Sequence, residues 1–131
     1  MIFLDSNIIS YYFSDIGNVK RNLHQSIMGD AIICTTILNV YEIVKGFRWK
    51  NNKRRETEFV DFIKNVVVIS FDDKVVDIAA SIYASLRKKG ITIGDSDILI
   101  AAIVIANNGT LVTSNTKHFE NIEQLKVENW V

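Results

Sequence analysis

The chain has 131 residues, 48% of them apolar, which suits one domain with a sizeable core and excludes a disordered segment. Its 15 basic and 15 acidic residues cancel, so there is no chain-wide polycation and any contact with nucleic acid must use a local patch. The single cysteine, Cys34, excludes an internal disulfide framework and argues against a cysteine-rich zinc site.

Ile2-Phe3-Leu4 is continuously apolar and ends at Asp5-Ser6-Asn7, the pattern of a strand buried on both faces. No basic segment with a longer apolar run stands at the start, so no signal peptide is expected and the protein is expected in the cytoplasm. A helix follows from Ile8 to Phe13, capped by Asp5 or Ser6. Val19, Leu23 and Ile27 mark a second helix up to Met28. Ala31 to Thr35 is the second strand, with Cys34 expected to be buried and reduced inside it.

Thr36 caps the next helix, whose stripe is Ile37, Val40, Tyr41, Val44 and Phe47. Glu42 lies beside that stripe, with Gly46 one turn further on its own side. A helical glycine costs about 1 kcal/mol relative to alanine. Close approach of something over Glu42 is one reason for it, and simple tolerance near a helix end is the other. Arg48 to Arg55 carries five cations and no acid. The run is a solvated helix junction or a phosphate-contacting patch, the latter through Lys53, Arg54 and Arg55.

Phe59, Phe62 and Ile63 line another helix, and Val66 to Ile69 is the third strand. Ser70-Phe71-Asp72-Asp73 resembles a capping box before a helix running to Lys89. Its inward residues are Val75, Val76, Ala79, Ile82, Tyr83 and Leu86. Ile98 to Ala106 is apolar on every side, so it is a buried helix, and far shorter than the roughly 20 residues a membrane span needs. It starts at Asp95-Ser96-Asp97. Successive helical residues point about 100° apart, so one site is not expected to use both acids equally. Asp95 is assigned as the cap and supporting residue, Asp97 to the chemistry. Thr110 to Thr113 is the fourth strand, Lys117 to Phe119 a helical turn, and Lys126 to Trp130 a fifth, edge strand. Trp49 and Trp130 are read as packing residues, His24 and His118 as surface residues, His118 within reach of a bound strand.

Strands alternating with helices predict an α/β domain over 1–131, three layers deep, around a mostly parallel sheet of four or five strands. Ligands in such sheets bind beyond the carboxyl ends of the strands. That places Asp5, Glu42, Asp97 and Asn115 together, with hydroxyls from Ser6, Thr36 and Thr113 nearby. Clustered carboxylates repel unless a cation sits between them. Oxygen-only ligands suit Mg²⁺ or Mn²⁺, and such a metal hydrolyses phosphodiesters well.

The residues then carry a resemblance. Leu4-Asp5-Ser6-Asn7, Thr36 through Glu42 to Gly46, Ile93 with Asp97 to Ala102, and Leu111 to Asn115 through His118-Phe119 stand in the order and spacing of a known family. The chain resembles the PIN-domain ribonucleases, and among them the VapC-type toxins of bacterial and archaeal toxin–antitoxin pairs. The resemblance implies that Asp5, Glu42 and Asp97 are the acidic metal ligands. Asn115 takes a fourth catalytic position that is often aspartate, which weakens the case for a second metal. Asn7 orients its neighbours, with Thr36, Asp95 and Thr113 in support. It further implies Mg²⁺- or Mn²⁺-dependent cleavage of RNA, a homodimer and a VapB-type antitoxin, with no membrane partner. The alternatives are a PIN nuclease of RNA maturation, a PIN domain that only binds RNA, and a receiver-like signalling domain. The last would need an aspartate ending the third strand, where Ile69-Ser70 stand, and a lysine near Thr113.

Overall fold

A computed structural model describes residues 1–131. In chain order the elements are β1 (Ile2–Leu4), α1 (Ser6–Phe13), α2 (Val19–Met28), β2 (Ile33–Thr36), α3 (Ile37–Trp49) and α4 (Lys53–Ile63). They continue with β3 (Val67–Ile69), α5 (Asp73–Lys88), α6 (Asp95–Ala106), β4 (Thr110–Val112), α7 (Thr116–Phe119) and β5 (Lys126–Glu128). All five strands pair in parallel, in the order β3-β2-β1-β4-β5. The strand order reverses between β1 and β4, so their carboxyl ends flank the crevice where open α/β sheets bind ligands.

Period-two alternation divides the strand residues between two cores. Phe3, Cys34 and Leu111 face α5 and α6. Leu4, Ile33 and Val112 face the layer of α1, α2 and α4. Helix α6 fills the first core: Ile100 to Val104 are fully buried, as its all-apolar sequence requires. Gly109 lets the chain turn from α6 into β4, because a Cβ there would lie 2.6 Å from the Phe3 ring. No helix is long and apolar enough to cross a membrane.

Several expectations need correction. Asp72, not Ser70, caps α5, its Oδ1 accepting from Val75 N–H at 3.2 Å. Val75, Ala79 and Leu86 face inward on α5, while Val76 and Tyr83 are exposed. On α3 the packed side chains are Val40, Ile43, Val44 and Phe47, whereas Ile37 and Tyr41 are exposed. Trp130 is buried, but Trp49 is 88% exposed and is not a packing residue. On α3 and α5 periodicity located the helix correctly, but the face it buries depends on which neighbours it meets.

Candidate active site

Asp5 ends β1 and Thr113 follows β4. Their backbones continue the ladder, Asp5 N–H donating to Val112 O at 3.0 Å and Thr113 N–H to Glu128 O at 2.9 Å. The Leu4–Val112 register therefore brings the two side chains together. Thr113 Oγ1 donates to Asp5 Oδ2 at 2.8 Å. The other oxygen, Oδ1, accepts from Ser6 N–H and from Asn39 Nδ2, both at 2.9 Å. Asp5 thus caps α1 while being only 6% exposed. Burial pushes its carboxyl up from the ordinary value; the bonds from Thr113, Ser6 and Asn39 pull it down, and the charge of Asp97 pushes it up again.

Helix α3 is fastened to β1 through its first turn. Thr36 and Asn39 form a reciprocal capping box: Asn39 N–H donates to Thr36 Oγ1 at 3.2 Å, and Thr36 N–H to Asn39 Oδ1 at 3.4 Å. That leaves the Asn39 amide free to donate to both Asp5 and Ser6 Oγ, the latter also at 2.9 Å. Ser6 Oγ in turn donates to Glu42 Oε2 at 2.9 Å, and Ser96 Oγ donates to Glu42 Oε1 at 2.8 Å. One carboxylate therefore bridges the start of α1 and the start of α6. Asn7 Nδ2 donates to Thr113 Oγ1 at 3.3 Å, and its Oδ1 accepts from Ser114 N–H at 3.0 Å, clamping α1 to the loop after β4.

Asp97, in the first turn of α6, accepts from His118 Nε2 at 2.7 Å. A carboxylate only accepts, so Nε2 carries the proton. His118 is therefore half-buried against a site acid, not a free surface residue as the sequence suggested. Asp95 is corrected as well: Gly94 is the N-cap, and Asp95 makes no capping bond and is exposed. Asn115 stands on the rim, exposed, its N–H donating to Thr113 Oγ1 at 3.1 Å. Of the cations put forward, Arg54 pairs with Glu58 at 3.3 Å and Arg55 with Glu58 at 3.0 Å. Arg55 borders a groove beside Glu42; Lys53 and Arg54 do not.

Asn39, Ser6, Ser96 and His118 were the residues sequence reading underused. Only Asn39 had a local signal, three residues after a capping threonine.

The donor set is hard oxygen, and Asp97 stands close enough for its charge to raise the cost of ionising Asp5. No group of three His, Cys, Asp or Glu side chains closes into a ready cage, because Glu42 is held by two serines and Asp97 by His118. Mg²⁺-type ions keep several waters and take one or two carboxylates, so these residues fit such an ion and not a four-ligand structural metal.

A family model described as "PIN domain" matches residues 2–125. The chain belongs to the PIN-domain family. Among relatives of this PIN domain, "Ribonuclease VapC2" of Rickettsia felis is 30% identical, aligned over 97% of this chain and 96% of its own. "Ribonuclease VapC2" of Haemophilus influenzae is 29% identical over 98% and 96%. Among solved structures, the VapBC2 complex of Rickettsia felis, bound to a DNA fragment from its promoter, matches with TM-score 0.90 at 30% identity over the full length of both chains. FitAcB of Neisseria gonorrhoeae matches with TM-score 0.82 at 25% identity over 98% of this chain and 97% of that one. The three-layer architecture expected from the sequence is this PIN fold, with the sheet fully parallel and five-stranded.

Proposed function

We infer that this PIN domain is a metal-dependent endoribonuclease that hydrolyses RNA phosphodiester bonds, and that it is the toxin of a toxin–antitoxin pair. The observation that carries the reading is the linked set Asp5, Glu42 and Asp97 at the carboxyl ends of β1 and β4, in a chain whose relatives are named ribonucleases. The match to the VapBC2 complex of Rickettsia felis supports a VapB-type partner.

Asp5, Asp97 and Glu42 would hold the cation, Mg²⁺ or Mn²⁺, one or two of them directly and the rest through its waters, with Asn115 at the rim. When bound, such an ion lowers the pKa of a water and offsets charge on the phosphodiester during in-line displacement. The chain's own groups do the positioning. Thr113 and Asn39 hold Asp5 by its two oxygens, so its orientation is set before any ligand arrives. His118 holds Oδ2 of Asp97 and leaves Oδ1 to ligate. Ser6 and Ser96 keep Glu42 turned toward the crevice. A homodimer belongs to the reading; the exposed Val76 and Tyr83, seven residues apart on one stripe of α5, support it.

The purified protein should cleave single-stranded RNA with Mg²⁺ or Mn²⁺ and lose all cleavage in EDTA. Undiminished cleavage in excess chelator refutes the metal mechanism. A small DNA-binding product of the adjacent gene should block cleavage. Indifference to it would move the assignment to RNA maturation.

A further inference from the structure

Glu42 and Gly46 on α3 and Lys50, its C-cap, stand at four-residue intervals and so share one face of the helix. A site carboxylate is at one end and a cation with no ion-pair partner at the other, roughly 12 Å apart along the axis. Between them Gly46 leaves the face bare: a Cβ there would meet nothing within 4 Å. Neither packing nor backbone conformation requires this glycine. The bare face is the floor of a groove of about 310 Å³, at the lower end of ligand pockets, between α3, α1 and the start of α4. Ile9, Phe13 and Phe47 give it apolar walls, and Lys50 and Arg55 stand at the end away from Glu42. Arg55 spends one nitrogen on Glu58 and keeps further N–H groups to donate. A cavity of similar size, about 320 Å³, lies between α5 and the segment after α7, but it touches no site residue and its charged lining residues, Asp77 and Glu123, are both acids.

Resting on the ribonuclease reading, we propose that this groove takes the nucleotide next to the cleaved phosphodiester of a single-stranded RNA. The apolar walls receive the base, and Lys50 with Arg55 receives the neighbouring phosphate. The RNA strand thus leaves the acidic centre along α3, and Gly46 is the residue that keeps its path open.

Gly46→Leu tests this without endangering the fold, since a helix-favouring residue enters open space and should raise the thermal midpoint. Binding is read by anisotropy of a fluorescein-labelled single-stranded RNA, in an Asp97→Asn background so that nothing is cut. Adding Gly46→Leu should raise Kd about tenfold, and in the active background KM should rise with kcat little changed. Lys50→Gln should flatten the slope of log Kd against log salt by about 0.7, one single-strand phosphate contact. Unchanged RNA affinity in a stabilised Gly46→Leu protein overturns the proposal, as does an effect confined to binding of a protein partner. If the chain binds RNA in this Gly46-dependent way but never cuts it, the groove stands and the nuclease reading falls. If the Asp97→Asn chain binds no RNA while the wild type cuts it, the groove falls alone.

Discussion

Thr113 is a single buried hydroxyl on which three parts of the site converge, and replacing it by valine isolates that role. Thr113→Val keeps shape and volume and removes only the hydroxyl. Lost are the bond to Asp5 Oδ2 at 2.8 Å and those from Asn115 N–H at 3.1 Å and Asn7 Nδ2 at 3.3 Å. Asn115 is exposed and can turn to water, so its loss costs little. The bond to Asp5 is charge-assisted and buried, and the remaining contact to that oxygen, from Asn7, is long at 3.5 Å. Leaving it unmade costs about 2–3 kcal/mol. Unfolding entropy of about 2.1 cal/mol/K per residue gives roughly 0.28 kcal/mol/K for this chain. The expected fall in Tm is therefore about 7–11 °C. Thr113→Ser keeps the hydroxyl and loses one buried methyl, about 1 kcal/mol or roughly 4 °C. Calorimetry of wild type, Thr113→Ser and Thr113→Val in chelator, with RNA cleavage measured alongside, decides the matter. The valine variant should be the least stable and the least active. A valine variant at least as stable as the serine one would show that Asp5 does not depend on this hydroxyl.

Asp97→Asn should fold normally and lose nearly all RNA cleavage, while Asp95→Ala, at an exposed position without a capping bond, should stay within about 0.5 kcal/mol of wild type and keep its activity; a dead, folded Asp95→Ala would reverse the two roles. His118→Ala should weaken Mn²⁺ binding, followed by electron paramagnetic resonance of the free ion, by about tenfold, and His118→Gln should recover most of it because its amide can donate where Nε2 does. Equal affinity of the alanine variant and wild type would reduce His118 to packing. Burial raises the folded-state pKa of Asp5, so its ionised form destabilises the metal-free fold above that pKa, and the cost disappears as pH falls below the unfolded value. The Tm of Asp5→Asn relative to wild type should accordingly be highest at neutral pH and fall as pH is lowered through the carboxylate range, on top of a pH-independent loss of the bonds that the two Asp5 oxygens accept; a difference independent of pH contradicts this.

The acids proposed for the site could be picked out because their signals are local. Asp5 ends an apolar strand, Glu42 lies beside an apolar stripe, and Asp97 opens an all-apolar helix; strand and helix periods act over a few residues and survive without tertiary context. The same holds for the order of elements and for the parallel sheet that alternating strands and helices require. What tertiary structure alone decided were relations between residues far apart in the chain. Asn39 meets Asp5 across 34 positions, Ser96 meets Glu42 across 54, and His118 meets Asp97 across 21. No periodicity encodes those distances, because they follow from the packing of α3 and α6 against the ends of β1 and β4. The two tryptophans make the point most simply. One side-chain chemistry occurs at two positions, and Trp130 is buried in the core it shares with α1 and α2 while Trp49 stands in solvent at the end of α3. Hydrophobicity states that burial is favourable; only the arrangement of the other elements states whether there is anything to be buried against.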